Sequence, residues 1–498
     1  MLSRFLLISF CSLFWINSNL KANNVQLSNL QIIDNRHISV SVSWDNAWNL
    51  SNGNTRANYD AVWVFLKYKY NGGQWQHLKL ADLDSLHQSN SYMIEIKSVT
   101  DSGGVFVKLK QPTETNVSDE TIILCTANLL ALGNYDLKAF GIEMVYLPEA
   151  DFWVGDGQSN HSLKDSISGA PILIDASTTA LGTNANQLST GFSNAVSQIP
   201  ATFPKGQKAF YGMKYELSQQ QYAEFLNTLT VEQQTTRTVL PPTSIAGKFV
   251  MVSTGQYANR NGVVIKTPSD GNSPAIYGCN ANVGNEIDAA DDGQNRAMNF
   301  ISWADVVAYL DWVALRPLSE MEYEKSCRGE KSPVKLAFAW DTPYSVDANT
   351  GINEGTEDET VSESTIDSAG LTNQGYSGFQ GPLRNGFGAN QTNDRLQAGA
   401  GYYGMLELSG NLWEVCIALN DAGLSFASKA GNGSIGSDGN ADEPNWYPNA
   451  DNAIYRGGAW LSGVTGTFRD LAISDRFYMN LRPTLRRNTS GGRGGRSE

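Results

Sequence analysis

Of the five cysteines in this chain, Cys11 falls within an apolar leader, which leaves Cys125, Cys279, Cys327 and Cys416 as the thiols able to do chemistry. None belongs to a Cys-x-x-Cys pair or stands close to a histidine, and His37, His77, His87 and His161 are scattered. Zinc and haem sites, which need clustered soft or imidazole ligands, are therefore not expected. An even number of thiols permits disulfides in an oxidising compartment, yet spacing alone selects no pairing. Among the carboxylates, Glu320, Glu322 and Glu324 alternate along one predicted helix, and the alternation predicts that they share no face for paired acid–base work. No phosphate-binding glycine loop follows a strand, and no nucleophile elbow occurs. The stretch Gly491-Gly492-Arg493-Gly494-Gly495-Arg496 lacks the lysine and following helix of a P-loop.

The elements that must position these residues begin behind a leader. Arg4 precedes the apolar run Phe5 to Ile16, too short to span a bilayer, and a polar stretch ends at Ala22, so residues 1–22 read as a secretory signal peptide. No later stretch approaches transmembrane length. The expected location is secreted, periplasmic or cell surface. With 36 Lys+Arg against 50 Asp+Glu, a formal charge of −14, the chain does not offer the phosphate-neutralising surface that nucleic acid demands. From residue 23 to 140, runs such as Ile38–Trp44, Ala61–Tyr68, Tyr92–Ile96 and Val105–Leu109 alternate apolar and polar residues between turn signals, and Asn71-Gly72-Gly73 reads as a hairpin turn. This predicts an N-terminal β-sandwich with no catalytic feature.

A second domain, 141–498, opens with Gly141–Pro148 and Phe152–Asp156. Beyond a Gly/Ser/Asn/Thr-rich stretch, three helix starts carry a capping pattern: Ser218 with Gln221, Ser302 with Asp305, and Ser319 with Glu322. Tyr222, Phe225 and Leu226 line one face of the first of these helices. Trp303, Val306, Val307 and Leu310 line one face of the second.

The segments Asn299–Trp303, Arg316–Gly329, Gly404-Met405-Leu406-Glu407-Leu408-Ser409-Gly410-Asn411-Leu412-Trp413-Glu414 and Tyr455-Arg456-Gly457-Gly458-Ala459-Trp460, with the closing Arg486 to Arg493, resemble signatures of the formylglycine-generating enzyme (sulfatase-modifying factor) family. The resemblance covers 141–498 and implies an α+β, C-type-lectin-like domain with little regular secondary structure, two principal helices, small sheets and long loops. It also implies oxidation of a substrate cysteine by copper held between two cysteines. On the family register those positions are Ser462 and Thr467, while Ala459 replaces a serine, and a hydroxyl does not substitute for the thiolate that Cu(I) selects. No catalytic residue and no copper are expected. Cys327 and Cys416 are not spaced as a replacement pair.

The same resemblance implies a calcium loop whose ligands would be Glu407, Gly410, Leu412 and Glu414, hard oxygens of the kind calcium takes. Glu407 departs from the family's Asn or Asp, and Glu414 hydrogen-bonding the loop backbone is the open alternative. A second family calcium site loses its aspartate to Ser377, and the acidic segment 346–368, with Glu354, Glu357, Asp358, Glu359, Glu363 and Asp367, reads as a solvated insertion. The expected function is a secreted non-catalytic binding or scaffold protein that meets a protein or glycan partner outside the cytoplasm. A copper-dependent cysteine oxidase and a calcium-dependent carbohydrate-binding protein are the alternatives. Oligomeric state is not legible.

Overall fold

The computed structural model describes residues 24–51, 57–375, 378–390, 392–446, 448–463 and 468–498, without the side chains of 468 and 469. The expected leader, Ser377 and Thr467 lie outside the described residues.

Two sheets form the N-terminal part. The first orders β1 (Gln26–Ile32), β2 (His37–Asn49), β6 (Thr113–Cys125) and the short strand Gln88–Ser89. The second carries β3 (Asp60–Tyr70), β4 (Ile94–Ser98), β5 (Val105–Leu109) and β7 (Tyr135–Leu147), and it continues into β8 (Phe210–Met213), β11 (Arg316–Pro317) and β14 (Gly494–Ser497), in the order β11-β14-β8-β7-β3-β5-β4. Strands occupy the runs expected at Ile38–Trp44, Ala61–Tyr68 and Val105–Leu109, while the one expected at Tyr92–Ile96 begins only at Ile94. Asn71 and Gly72 both have positive φ, 50° and 74°, and Gly73 N closes the turn on Tyr70 O at 3.0 Å, within a loop that leads from β3 back to its antiparallel partner Gln76–Leu78.

β3 explains why its sequence is almost continuously apolar. Val62, Val64 and Leu66 join Ile38, Val40, Val42 and Trp44 in the core between the two sheets. Ala61, Trp63 and Phe65 point the other way, into a core shared with α3 (Trp303–Trp312) and the rest of the chain. A strand covered on both faces has no polar side to alternate with. The second sheet is thus the middle of three layers. Trp63 Nε1 donates to Val313 O at 2.9 Å, and Phe106 stacks on Tyr211 at 3.8 Å between ring centres.

The boundary expected at residue 141 falls inside β7. Its Tyr135–Val145 stretch pairs with β3, and Met144–Leu147 pair with β8, so one strand serves both parts and no linker separates them.

Beyond β8 the chain is α+β. The described residues include α1 (Gln219–Leu226), α2 (Val231–Arg237), α3, α4 (Glu320–Arg328) and α5 (Asp421–Leu424), together with the hairpin β9 (Val263–Thr267) and β10 (Ile276–Cys279) and the pair β12 (Glu414–Ile417) and β13 (Ala453–Arg456). Reciprocal capping boxes start α1 and α4 at Ser218/Gln221 and Ser319/Glu322. At α3, Asp305 accepts from both the amide and the hydroxyl of Ser302. The Thr230/Gln233 box that starts α2 was not anticipated. No helix among the described residues is long and apolar enough to cross a membrane.

Candidate functional site

The loop preceding β12 is built on residues with positive φ: Glu407 at 54°, Gly410 at 94° and Asn411 at 61°. Gly410 must be glycine twice over, because a Cβ there would stand 2.1 Å from Thr372 Oγ1. Asn411 ties the loop down. Its amide donates to Glu216 Oε2 at 2.5 Å, and its side-chain oxygen accepts from Leu383 N at 2.9 Å and Asn373 Nδ2 at 3.0 Å. Leu412 N donates to Glu216 Oε1 at 3.0 Å, while Gly410 N donates to Gly457 O at 2.8 Å.

The fold therefore brings Glu407, Gly410, Leu412 and Glu414 into one loop around two residues that sequence reasoning left without a role there, Glu216 and Arg493. Glu414 Oε1 lies 2.6 Å from Arg493 Nε, and the same guanidinium donates to the carbonyls of Met213, Lys214 and Leu406. Three buried carboxylates, Glu216, Glu407 and Glu414, thus face the buried Arg493, and Glu407 also feels the buried Arg384. Burial pushes the Glu407 and Glu414 carboxyls up to about 7 against the opposing pull of Arg493, and it raises Glu216 as well. Glu407 Oε1 accepts from Gly386 N at 2.9 Å, but Glu407 Oε2 and Glu414 Oε2 are buried with no hydrogen-bond donor. Glu407 Oε2 and Glu414 Oε2 are hard oxygens of the kind calcium takes, and they lie in the loop that the family resemblance marks for it. Periodicity could not reveal Glu216 or Arg493, since both are charged residues buried by tertiary contacts.

At the position implied for copper, Ser462 is buried and its hydroxyl accepts from Ala459 N at 2.9 Å, with Ser462 N returning a bond to Ala459 O at 2.8 Å. Neither residue offers a soft ligand. Asp470 stands nearby; burial and the neighbouring Asp475 raise its carboxyl to about 6, offset by a bond from Ser462. Cys125, Cys279, Cys327 and Cys416 are all buried free thiols, so no disulfide joins them. Burial raises Cys327 to about 12 and Cys416 well above its ordinary value, which leaves both as thiols rather than thiolate ligands. The residues present do not fit copper.

Two expectations need correction. Glu320 and Glu324 do share a helix face, because they are four residues apart, and Arg456 bridges them at 2.9 Å to each. Arg476 joins Glu320 at 2.7 Å, and Arg328 joins Glu324 at 3.0 Å. All five side chains are fully buried, so the network holds the core and meets no substrate. The acidic segment 346–368 is not uniformly solvated either. Glu359 is 0% exposed and pairs with Arg296 at 2.6 Å and Arg260 at 2.9 Å, whereas Glu354, Glu357 and Asp358 remain at the surface.

No curated protein sequence matches the chain. Residues 169–494 match the sulfatase-modifying factor enzyme 1-like domain, and that span takes in the capped helices, the Glu407–Glu414 loop and the altered positions Ala459 and Ser462. The chain belongs to the family of sulfatase-modifying factor enzyme 1-like proteins.

Proposed function

We propose that this chain is a non-catalytic binding or scaffold protein, working outside the cytoplasm, in which a β-sandwich is joined to a sulfatase-modifying-factor domain of C-type-lectin-like design. The observation that carries the reading is Ser462: its hydroxyl is buried and engaged by Ala459 N where the family's copper chemistry needs a thiolate. The family implies formylglycine generation, and copper titration together with incubation of a cysteine-containing peptide tests that activity. The expected result is no thiol-dependent copper binding and no formylglycine. Tight copper binding with peptide oxidation overturns the proposal in favour of a cysteine oxidase.

Calcium is the second part of the reading, favoured by the unpartnered oxygens of Glu407 and Glu414. A bound calcium would neutralise the carboxylate excess around Arg493 and fix the loop. Calcium should raise the thermal unfolding temperature of the intact chain, and Glu414→Gln should abolish the rise. An equal rise in both proteins sinks the assignment. Glycan binding that requires calcium would single out carbohydrate as the partner class.

A further inference from the structure

The face of β3 and β7 that turns toward the first sheet is apolar along most of its length and ends in three ionisable side chains. Glu143 pairs with Val62, and Asp60 lies two residues back along β3, opposite Val145, so both carboxyls leave the sheet on the face that Val62 occupies. Lys214 directly follows β8. Its amide donates to Glu143 O at 2.9 Å, and its ammonium donates to Glu143 Oε1. All three side chains are buried, Asp60 at 0% exposure. The Lys214 ammonium lies 4.6 Å from the centre of the Trp48 ring and 5.2 Å from that of Tyr215. Two acids and one amine are thus shut away from water among aromatic rings.

An ion pair does not satisfy this cluster. One cation faces two carboxyls, and Glu143 Oε2 and Asp60 Oδ2 have no hydrogen-bond donor. Asp60 Oδ1 accepts from Trp48 N at 2.9 Å. Burial, with Lys214 opposing and Glu143 adding, holds the Asp60 carboxyl well above its ordinary value, which makes it a neutral acid able to give and take a proton. Desolvation pulls the Lys214 amine down, but Glu143, Tyr215 and Asp60 outweigh it and keep the ammonium form. The proton that masks its lone pair therefore has to pass along the contact to Glu143. Condensation of the amine with the acid would remove both buried charges, each of which is costly to hold away from water. A site closed to water also favours the direction that expels one.

We propose that Lys214 and Glu143 join in an intramolecular isopeptide bond, formed by the folded chain itself with Asp60 as the proton carrier. Lys214 passes one proton to Glu143, and its nitrogen then attacks the Glu143 carboxyl carbon, Cδ. The Nζ–Cδ bond forms and one Cδ–O bond breaks. Asp60 gives a proton to the departing hydroxyl, which leaves as water, and takes back the surplus proton from the nitrogen. Nothing is oxidised or reduced, and no co-reactant is needed. The bond staples β7 to the chain leaving β8, at the seam where the N-terminal sheets meet the rest of the molecule.

The test is the intact mass of the purified chain under denaturing conditions, followed by a tryptic map. The expected mass is one water below that of the unlinked chain. The expected map contains a branched peptide in which Lys214 is joined to Glu143 and trypsin no longer cuts after Lys214. Asp60→Asn keeps the shape and the acceptor for Trp48 N but loses the acid, and it should retain the full mass with unchanged circular dichroism. A wild-type chain that has lost no water overturns the inference and leaves a buried ion pair. So does a lost water that maps elsewhere, as at an Asp-Gly succinimide. A link that persists undiminished in Asp60→Asn overturns the role given to Asp60. The wild-type map decides the bond whether or not the variant folds. It is also independent of the copper and peptide assay, so the non-catalytic reading and this inference can fail separately.

Discussion

Arg456 holds two carboxylates at once. Glu320 and Glu324 sit one helical turn apart on α4, and a guanidinium can reach both because it is planar and forked. Removing one partner of a buried pair leaves the other charge uncompensated, so Glu324→Gln should cost about 3–5 kcal/mol in urea unfolding. A loss below about 1 kcal/mol would mean that the network behaves as a surface pair does. The register of α4 was legible from Ser319 and Glu322, but the role of its glutamates was not, since their partners Arg456 and Arg476 lie more than a hundred residues away in the chain. The thiols are simpler. Cys125, Cys279, Cys327 and Cys416 should react with a thiol reagent only after denaturant is added, and rapid labelling of the folded chain would contradict their burial.

Helix starts could be read from the sequence because a capping box is local: Ser218, Ser319 and their Gln and Glu partners lie within four residues of each other. The packing of one element on another could not be read. β3 shows the difference. Its strand character follows from its own residues, but the seam it forms with α3 depends on Lys67, a buried lysine whose Nζ donates to Trp312 O at 2.6 Å and Gly433 O at 2.5 Å, with His77 Nδ1 at 3.1 Å as its third neighbour. His77 Nε2 lies 2.9 Å from Gly103 O. Burial first, then the nearby Lys67, holds the His77 imidazole well below its ordinary 6.5, with Lys79 and Arg496 adding to the effect and the Gly103 carbonyl opposing it. A histidine kept neutral in the fold takes up its proton more readily when unfolded. The seam is therefore intact above about pH 6.5 and loses stability as the pH falls below it, by up to about 1.4 kcal/mol per pH unit. The unfolding temperature should drop between pH 7.5 and 5.5, and His77→Gln should flatten that drop. An unchanged pH slope in the variant would acquit His77.

At the scale of the molecule, the N-terminal sheets and the family domain share one sheet and one core. The second sheet passes from one to the other through β7, and next to its far edge strand β11 it is completed by residues 494–497. Composition and alternation reveal two kinds of sequence and suggest a cut at residue 141. The cut fails physically because Trp63, Phe65 and Phe106, on its N-terminal side, belong to the same core as Trp303 and Val306. Thermal unfolding of the full chain should show a single transition, and limited proteolysis should yield no stable fragment divided near residue 141. Two separated transitions would restore an independent sandwich.

That shared sheet also constrains the order in which the protein acquires its shape. β14 fills the slot between β8 and β11, so the edge of β8 carries unpaired amides and carbonyls until residues 494–497 arrive from nearly three hundred positions downstream. Pairing over such separations is slow to nucleate, and an open strand edge invites wrong partners in the meantime. While the chain is being made, its central layer waits unfinished, and a holding chaperone that covers the β8 edge would have its best purchase during that wait.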